Sequence, residues 1–175
     1  MADSLRLREA VAEDFGQITQ IYGHHVLNGL ATFETVPPEV EEMRARHARV
    51  TEAGMPYLVA MRAHRILGYA YAGPYRPRVA YRYTVEDSIY LAPGAEGQGI
   101  GSRLLSALID TCEAGPWRQM IAVIGHSGNA ASIALHRRHG FVHVGTFENV
   151  GYKHGRWVDS VLMQRSLGPC VEAPP

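Results

Sequence analysis

Thr84 to Ser102, TVEDSIYLAPGAEGQGIGS, joins an acid-bearing apolar strand to a glycine-rich helix start. Gly97, Gly99 and Gly101 have no Cβ, so the backbone N–H groups between Gly97 and Ser102 can converge on an anion. A helix beginning near Gly99 adds unpaired N–H groups and its positive dipole end, which favours a phosphate or pyrophosphate guest. What is missing narrows that guest. No Gly-Lys-Ser/Thr follows, so the lysine and hydroxyl that a nucleotide-hydrolysing P-loop sets on terminal phosphates and magnesium are absent. The glycines run G-x-G-x-G rather than the G-x-G-x-x-G of a dinucleotide site, and the preceding strand carries Glu86. Taken alone, the segment reads equally well as an ordinary strand-to-helix turn.

A second constellation lies further along. After the apolar run Met120 to Ile124 comes GHSGNAASIALHRRHGF, in which Asn129 suits an N-cap and Gly140 the stop of a helix about ten residues long. Together these segments resemble the GCN5-related N-acetyltransferase (GNAT) superfamily, whose signature is Q/R-x-x-G-x-G/A followed by a second helix opening with asparagine. The closer resemblance is to the phosphinothricin and methionine sulfoximine N-acetyltransferases. It rests on AYAGPYRPRVAYRYTVEDSIY at 70 to 90, SGNAASIALHRRHGF at 127 to 141 and GYKHGRW at 151 to 157, and it covers Leu5 to Arg165.

The resemblance implies a single-domain α/β fold over residues 1–167, a mixed, mostly antiparallel central sheet flanked by helices, with a tail at 168–175. It implies acetyl-CoA as acetyl donor and a homodimer. The cofactor would lie along Ile89, Tyr90 and Leu91 on the strand, over Gly97, Gln98, Gly99, Ile100, Gly101 and Ser102 at the glycine turn, and against Asn129 and Ser132 on the second helix. Two departures stand out. Glu96 occupies the first motif position, where the family carries Gln or Arg, and this sets an acid near the pyrophosphate. His136 stands where most of the wider superfamily has tyrosine, as it does in the phosphinothricin branch.

Transfer of an acetyl group from a thioester to an amine needs an unprotonated nitrogen, a proton acceptor and stabilisation of the developing oxyanion. Glu86 is the expected acceptor. On an alternating strand it shares a face with Thr84, Ser88 and Tyr90, and the apolar Val85, Ile89 and Leu91 around it imply partial desolvation, which raises a carboxyl pKa and strengthens the base. His136 lies seven residues after Asn129, on a face with Asn129 and Ser132. Turned to the cofactor it could donate to the thioester carbonyl or return a proton to the thiolate. The nine histidines show no HxH or HExxH spacing, and no metal is expected.

For the acceptor, Tyr75 to Tyr83 is an arginine- and tyrosine-rich loop entering the Glu86 strand, and guanidinium groups bind carboxylates and phosphinates bidentately. By resemblance Arg78 and Tyr81 contact the substrate, Phe33 forms the opposite wall, and Lys153 sits in the GYKHGRW turn. The reading is an N-acetyltransferase for the α-amino group of a small amino acid or analogue. A protein N-terminal or polyamine N-acetyltransferase, or an acyl-CoA-binding module without catalysis, remain the alternatives.

These residues need a frame to hold them. At 175 residues the chain has room for one domain with a proper core. Lys+Arg and Asp+Glu number 17 each, and zero net charge argues against nucleic acid or an anionic membrane as partner and suits a small neutral or zwitterionic substrate, in keeping with the small-molecule amine that the resemblance implies. Two cysteines, Cys112 and Cys170, form no disulfide framework, and MADSLRLREA carries no apolar leader segment, so a cytoplasmic protein is expected. Patterning predicts a strand at Leu5 to Glu9, a helix behind Glu13-Asp14, and a charged helix from Pro37-Pro38 to about Glu52. Strands are predicted at Tyr57 to Met61, Ile66 to Ala72 and Thr84 to Leu91. Ile100, Leu104, Leu105, Leu108, Ile109 and Cys112 form one helical stripe ended by Gly115-Pro116. Phe141 to Val150 and Trp157 to Gln164 close the chain as an antiparallel pair, and Gly168 to Pro175 reads as a disordered tail.

Overall fold

The computed structural model describes residues 4–172. The elements run β1 (Arg6–Glu9), α1 (Phe15–Asn28), α2 (Val40–Glu52), β2 (Tyr57–Arg62), β3 (Arg65–Pro74), β4 (Thr84–Leu91), α3 (Ile100–Glu113), β5 (Gln119–Gly125), α4 (Ala130–Arg138), β6 (Val142–Lys153) and β7 (Arg156–Ser166). The seven strands form one sheet in the order β1-β2-β3-β4-β5-β7-β6. Every neighbouring pair is antiparallel except β4 with β5, which are parallel and joined through α3. A parallel pair needs such a crossover, because no tight turn can bring the chain back to the same end of the sheet.

Alternation along the strands sorts the two faces. Tyr57, Tyr69, Tyr71 and Tyr90 point one way, stacked on one another and against Phe15, Tyr22 and His47 of α1 and α2. Glu86 and Ser88 share that face, since they pair across β3–β4 with Gly73 and Tyr71. The opposite face carries Val85, Asp87, Ile89 and Leu91. There α3 packs with Ile100, Leu104, Leu105, Leu108, Ile109 and Cys112, all buried. Each of those aliphatic side chains contributes roughly 1.5–3 kcal/mol by leaving water, so truncating one at the centre, Leu105→Ala, should cost about 2–5 kcal/mol.

Local signals mostly place the ends. Asn129 caps α4 by accepting from the Ser132 N–H at 3.2 Å, and Gly140, at φ +81°, lies just past the helix end. The segment after β7 departs from expectation. Leu167 is fully buried with its N–H on the Arg118 carbonyl, and residues 168–172 fold into turns in which the Cys170 sulfur accepts from Gln119 Nε2. Backbone and core contacts that lie far apart in sequence fix this segment, and local composition does not report them. Residues 173–175 lie outside the described residues.

Candidate active site

The β4–β5 ladder is short. Thr84 to Asp87 pair with Gln119 to Ala122, and beyond Asp87 the two strands part, although β4 stays paired to β3 as far as Leu91 and β5 to β7 as far as Gly125. Alternate backbone groups of residues 88–91 and 123–125 therefore face one another across an open fork. A cleft of about 510 Å³ occupies it, lined by Ser88 to Leu91, Ala122 to Gly125, the glycine turn and the start of α4.

At one end of the cleft is the glycine turn. Gly99 is the N-cap of α3 at φ +75° and Gly97 has φ +73°, a region that residues with a Cβ enter at a cost. No heavy atom lies within 4 Å of where a Cβ would stand on either, so a ligand can approach the backbone directly. Gly101 serves differently, letting α3 and α4 approach, with Leu135 3.4 Å from its would-be Cβ. Of the residues expected to hold cofactor, Ile89, Tyr90, Leu91, Gly97, Gly99, Ile100, Gly101, Ser102, Asn129 and Ser132 all line this cleft. Gln98 does not. Its amide turns outward, donating to the Gly94 carbonyl at 3.1 Å, because the positive φ values of the glycines on either side swing it away. Glu96 is exposed at the mouth.

His136 reaches the cleft wall, but not in the role expected of it. It is buried; Nδ1 lies 2.8 Å from the Ser132 carbonyl and Nε2 lies 2.9 Å from Asp87 Oδ2. With both nitrogens engaged, the ring has none to offer a thioester. Burial presses its pKa down, yet the hydrogen bond with Asp87, that carboxylate's charge and the Ser132 carbonyl outweigh burial and leave it raised.

Glu86 sits on the other face of the sheet, at the last paired residues before the fork. No side-chain hydrogen bond holds its carboxylate among the described residues. Burial pushes its pKa up to about 7, the charge of Asp87 adds to the rise, and Arg76 pulls against it. A carboxylate that titrates near neutrality can take a proton from an ammonium group, directly or through a water.

The loop after α1 covers this side. Tyr22 hydroxyl bonds Thr32 Oγ1 at 2.9 Å and donates to Glu34 at 2.8 Å, while Arg46 grips Glu34 at 2.6 and 3.2 Å. Lys153 is buried and donates to the Thr32 carbonyl at 2.7 Å, so one of its three N–H donors anchors the loop. Phe33 lies against Gly151, whose bare Cα leaves room for the ring. Arg78 and Tyr81 are exposed on the loop entering β4, where Tyr75 meets Tyr81 edge-on at 5.5 Å. None of Glu86, Phe33, Arg78, Tyr81 and Lys153 lines this cleft, because the sheet separates the two sides and only the fork connects them.

Three cleft residues escape a reading from sequence. Asp87 follows the more conspicuous Glu86, and only the alternation of β4 sends it to the opposite face. His25 comes from α1, 66 residues away, to donate from Nε2 to the Leu91 carbonyl at 2.8 Å; burial lowers its pKa and favours the neutral ring. Arg138 follows from the pitch of α4, which turns it towards the cleft. Among the described residues no group of three or more His, Cys, Asp or Glu could hold a metal ion, and no helix is long and apolar enough to cross a membrane.

Residues 7–162 match the acetyltransferase (GNAT) domain family. The chain is 60% identical over 155 residues to a phosphinothricin N-acetyltransferase of Alcaligenes faecalis, covering 89% of this chain and 79% of that protein. It is 41% identical over 172 residues to an L-methionine sulfoximine/L-methionine sulfone acetyltransferase of Pseudomonas aeruginosa, covering 98% and 99%. A crystal structure of a GNAT superfamily phosphinothricin acetyltransferase from Sinorhizobium meliloti in complex with AcCoA superposes with a TM-score of 0.95 at 50% identity, over 98% of this chain and 92% of that one.

Proposed function

Because the chain belongs to the acetyltransferase (GNAT) family and is an acetyl-CoA-dependent N-acetyltransferase, we propose that it acetylates the α-amino group of a small amino acid or analogue of the phosphinothricin and methionine sulfoximine type. The observation that carries this reading is Glu86 beside the fork, half-buried, with a pKa of about 7, on the face opposite the glycine cradle.

The bound donor supplies an activated acetyl group whose thiolate is a good leaving group. The chain's own residues do the rest. Backbone N–H groups from Gly97 to Ser102 and the first turn of α3 hold the pyrophosphate, and Asn129 and Ser132 flank it from α4. The separated edges of β4 and β5 offer amide groups to an extended, amide-bearing arm, as a strand edge does to another strand. The acceptor enters from the α1–α2 face, where Glu86 takes the proton that its ammonium must lose before nitrogen can attack. Arg78, Tyr81 and Phe33 form the outer walls, the guanidinium suiting a carboxylate or phosphinate. A basic loop disfavours a polyamine.

The homodimer belongs to the same proposal. It is supported by the edge strand β6 and its hairpin partner, which leave Val142, Val144, Phe147, Val150, Tyr152 and Trp157 at least half exposed, a run of apolar side chains on one hairpin. The reducing cytoplasm suits two free cysteines, and acetylation of toxic analogues would give the host resistance to them. A thiol-release assay over amino acids, phosphinothricin, methionine sulfoximine, simple amines and polyamines tests the function. The highest kcat/KM should fall on an amino acid or analogue; a polyamine in first place overturns the assignment.

A further inference from the structure

The surroundings of His136 admit a strict count of protons. Its Nδ1 faces the Ser132 carbonyl, which can only accept, so Nδ1 carries hydrogen and donates at 2.8 Å. Its Nε2 faces Asp87 Oδ2 at 2.9 Å, and a bare nitrogen opposite a bare carboxylate would repel at that distance. One further proton must lie between Nε2 and Oδ2, on whichever side it resides. The pair then holds two protons and is neutral as a whole, which suits side chains only 5% and 2% exposed. Asp87 Oδ1 is buried with no partner among the described residues, so no other donor shares the work of neutralising the carboxylate.

What the pair joins is equally specific. Asp87 is the last residue of β4 paired with β5 before the fork. His136 stands on α4, the helix whose first turn, through Asn129 and Ser132, borders the cofactor cleft. The Ser132 carbonyl that His136 holds belongs to that same turn. Phe141, at the start of the next segment, meets the imidazole edge-on at 5.0 Å and fixes the ring plane.

We propose that Asp87 and His136 are positioning residues: a shared proton between them clamps the cofactor-binding helix to the strand fork and is not consumed in acetyl transfer. The other titratable groups around the pair fit this. Cys112 of α3 has its thiol pushed up to about 12, chiefly by burial and further by the Asp87 charge, so it stays protonated. His139, one turn along α4, is lowered by burial and by the charge of His136 with those of Arg165 and Arg138. Glu86 lies across the strand. The raised pKa of His136 gives the sign: the clamp is whole below the ordinary histidine value of about 6.5 and is lost only as pH climbs through the higher folded value. Acetyl-CoA affinity therefore weakens on the alkaline side.

The proposal rests on the fork being the acetyl-CoA site, and one measurement is independent of that. In ¹⁵N-labelled protein without cofactor, His136 Nδ1 should stay protonated and the ring should titrate above the ordinary histidine value of about 6.5; an ordinary or lowered midpoint overturns the clamp. Calorimetry with acetyl-CoA and saturated turnover then separate positioning from chemistry. Asp87→Ala should weaken affinity roughly 10- to 100-fold and change kcat little. Asp87→Asn should restore most of the affinity, since its amide N–H can donate to the bare Nε2 of a neutral His136. A drop in kcat at unchanged affinity, or Asp87→Asn proving as impaired as Asp87→Ala, overturns the proposal. Should Asp87→Ala fail to fold, the asparagine substitution and the ring spectrum still decide. Unchanged affinity in Gly99→Val would instead move the cofactor site and leave the spectroscopic result standing.

Discussion

Glu86→Gln should do two opposite things, and their conjunction tests the assignment of the base. The glutamine is close to isosteric and neutral at every pH, so it reproduces the protonated carboxyl and nothing else. With a pKa of about 7 the wild-type carboxylate is about half ionised at pH 7 and about one tenth at pH 6, so kcat/KM should fall through that window in addition to any loss from protonating the amine. In the variant this limb disappears and kcat/KM near pH 7 drops by roughly 10²–10⁴, with partial recovery at higher pH as free amine accumulates. Stability should move the other way. The folded pKa lies above the 4.5 of the unfolded chain, so the folded state holds its proton longer, and the wild type loses stability as pH rises from about 4.5 to 7. After allowance for solvent screening of a half-buried group, that loss is on the order of 2 kcal/mol above pH 7. Glu86→Gln therefore should melt about 4–8 °C higher than wild type at pH 8, with the gap closing near pH 4. A thiol-release pH profile and calorimetric melting measure both. A variant as active as wild type at pH 7 removes Glu86 as base, and one that is inactive yet no more stable at pH 8 means the carboxylate is already well solvated and its raised pKa is wrong.

Gly99→Val forces a β-branched residue to φ +75°, at a strain of about 1–2 kcal/mol, and sets methyl groups where phosphate must approach. Melting should fall by about 2–8 °C while acetyl-CoA affinity by calorimetry collapses, and unchanged affinity would remove the cradle assignment. Arg78→Ala should lower kcat/KM for an amino acid roughly 10- to 150-fold and barely touch a simple amine of similar size; equal losses would make Arg78 structural. Trp157→Glu puts a charge on the exposed β6–β7 hairpin, so sedimentation should shift from dimer to monomer, and an unaltered dimer would place the interface elsewhere.

Much of the cofactor side was legible because it is local. The glycine turn, the Asn129 cap and the apolar stripe of α3 are each readable within a few residues, and the structure brings the first two together in one cleft and buries the third against the sheet. The amine side is built from distant pieces. Lys153 gives one N–H to a carbonyl 121 residues away, and Gln98 turns its side chain outward, leaving only its backbone in the glycine turn; neither contact is readable from the local sequence. Asp87 was overshadowed by its neighbour. One residue of register decides which of two adjacent acids faces the amine and which is buried against His136, and a lone strand does not announce its faces. The turns at 168–172 escaped for the same reason, since they and Leu167 before them lean on Gln119 of β5 and on Arg118 just ahead of it, far back in the chain.

The parted ends of β4 and β5 tie local stability to whatever fills the gap between them. A sheet that ends in two unmet edges is the first part of the domain to loosen, so amides at 88–91 and 123–125 should exchange with solvent faster than those of the flanking ladders. A molecule that fills the fork and binds only the folded chain contributes RT ln(1 + [L]/Kd) to stability, about 2.7 kcal/mol at a hundredfold excess over Kd. Acetyl-CoA seated at the fork should therefore raise the melting temperature of the domain and slow exchange of those amides.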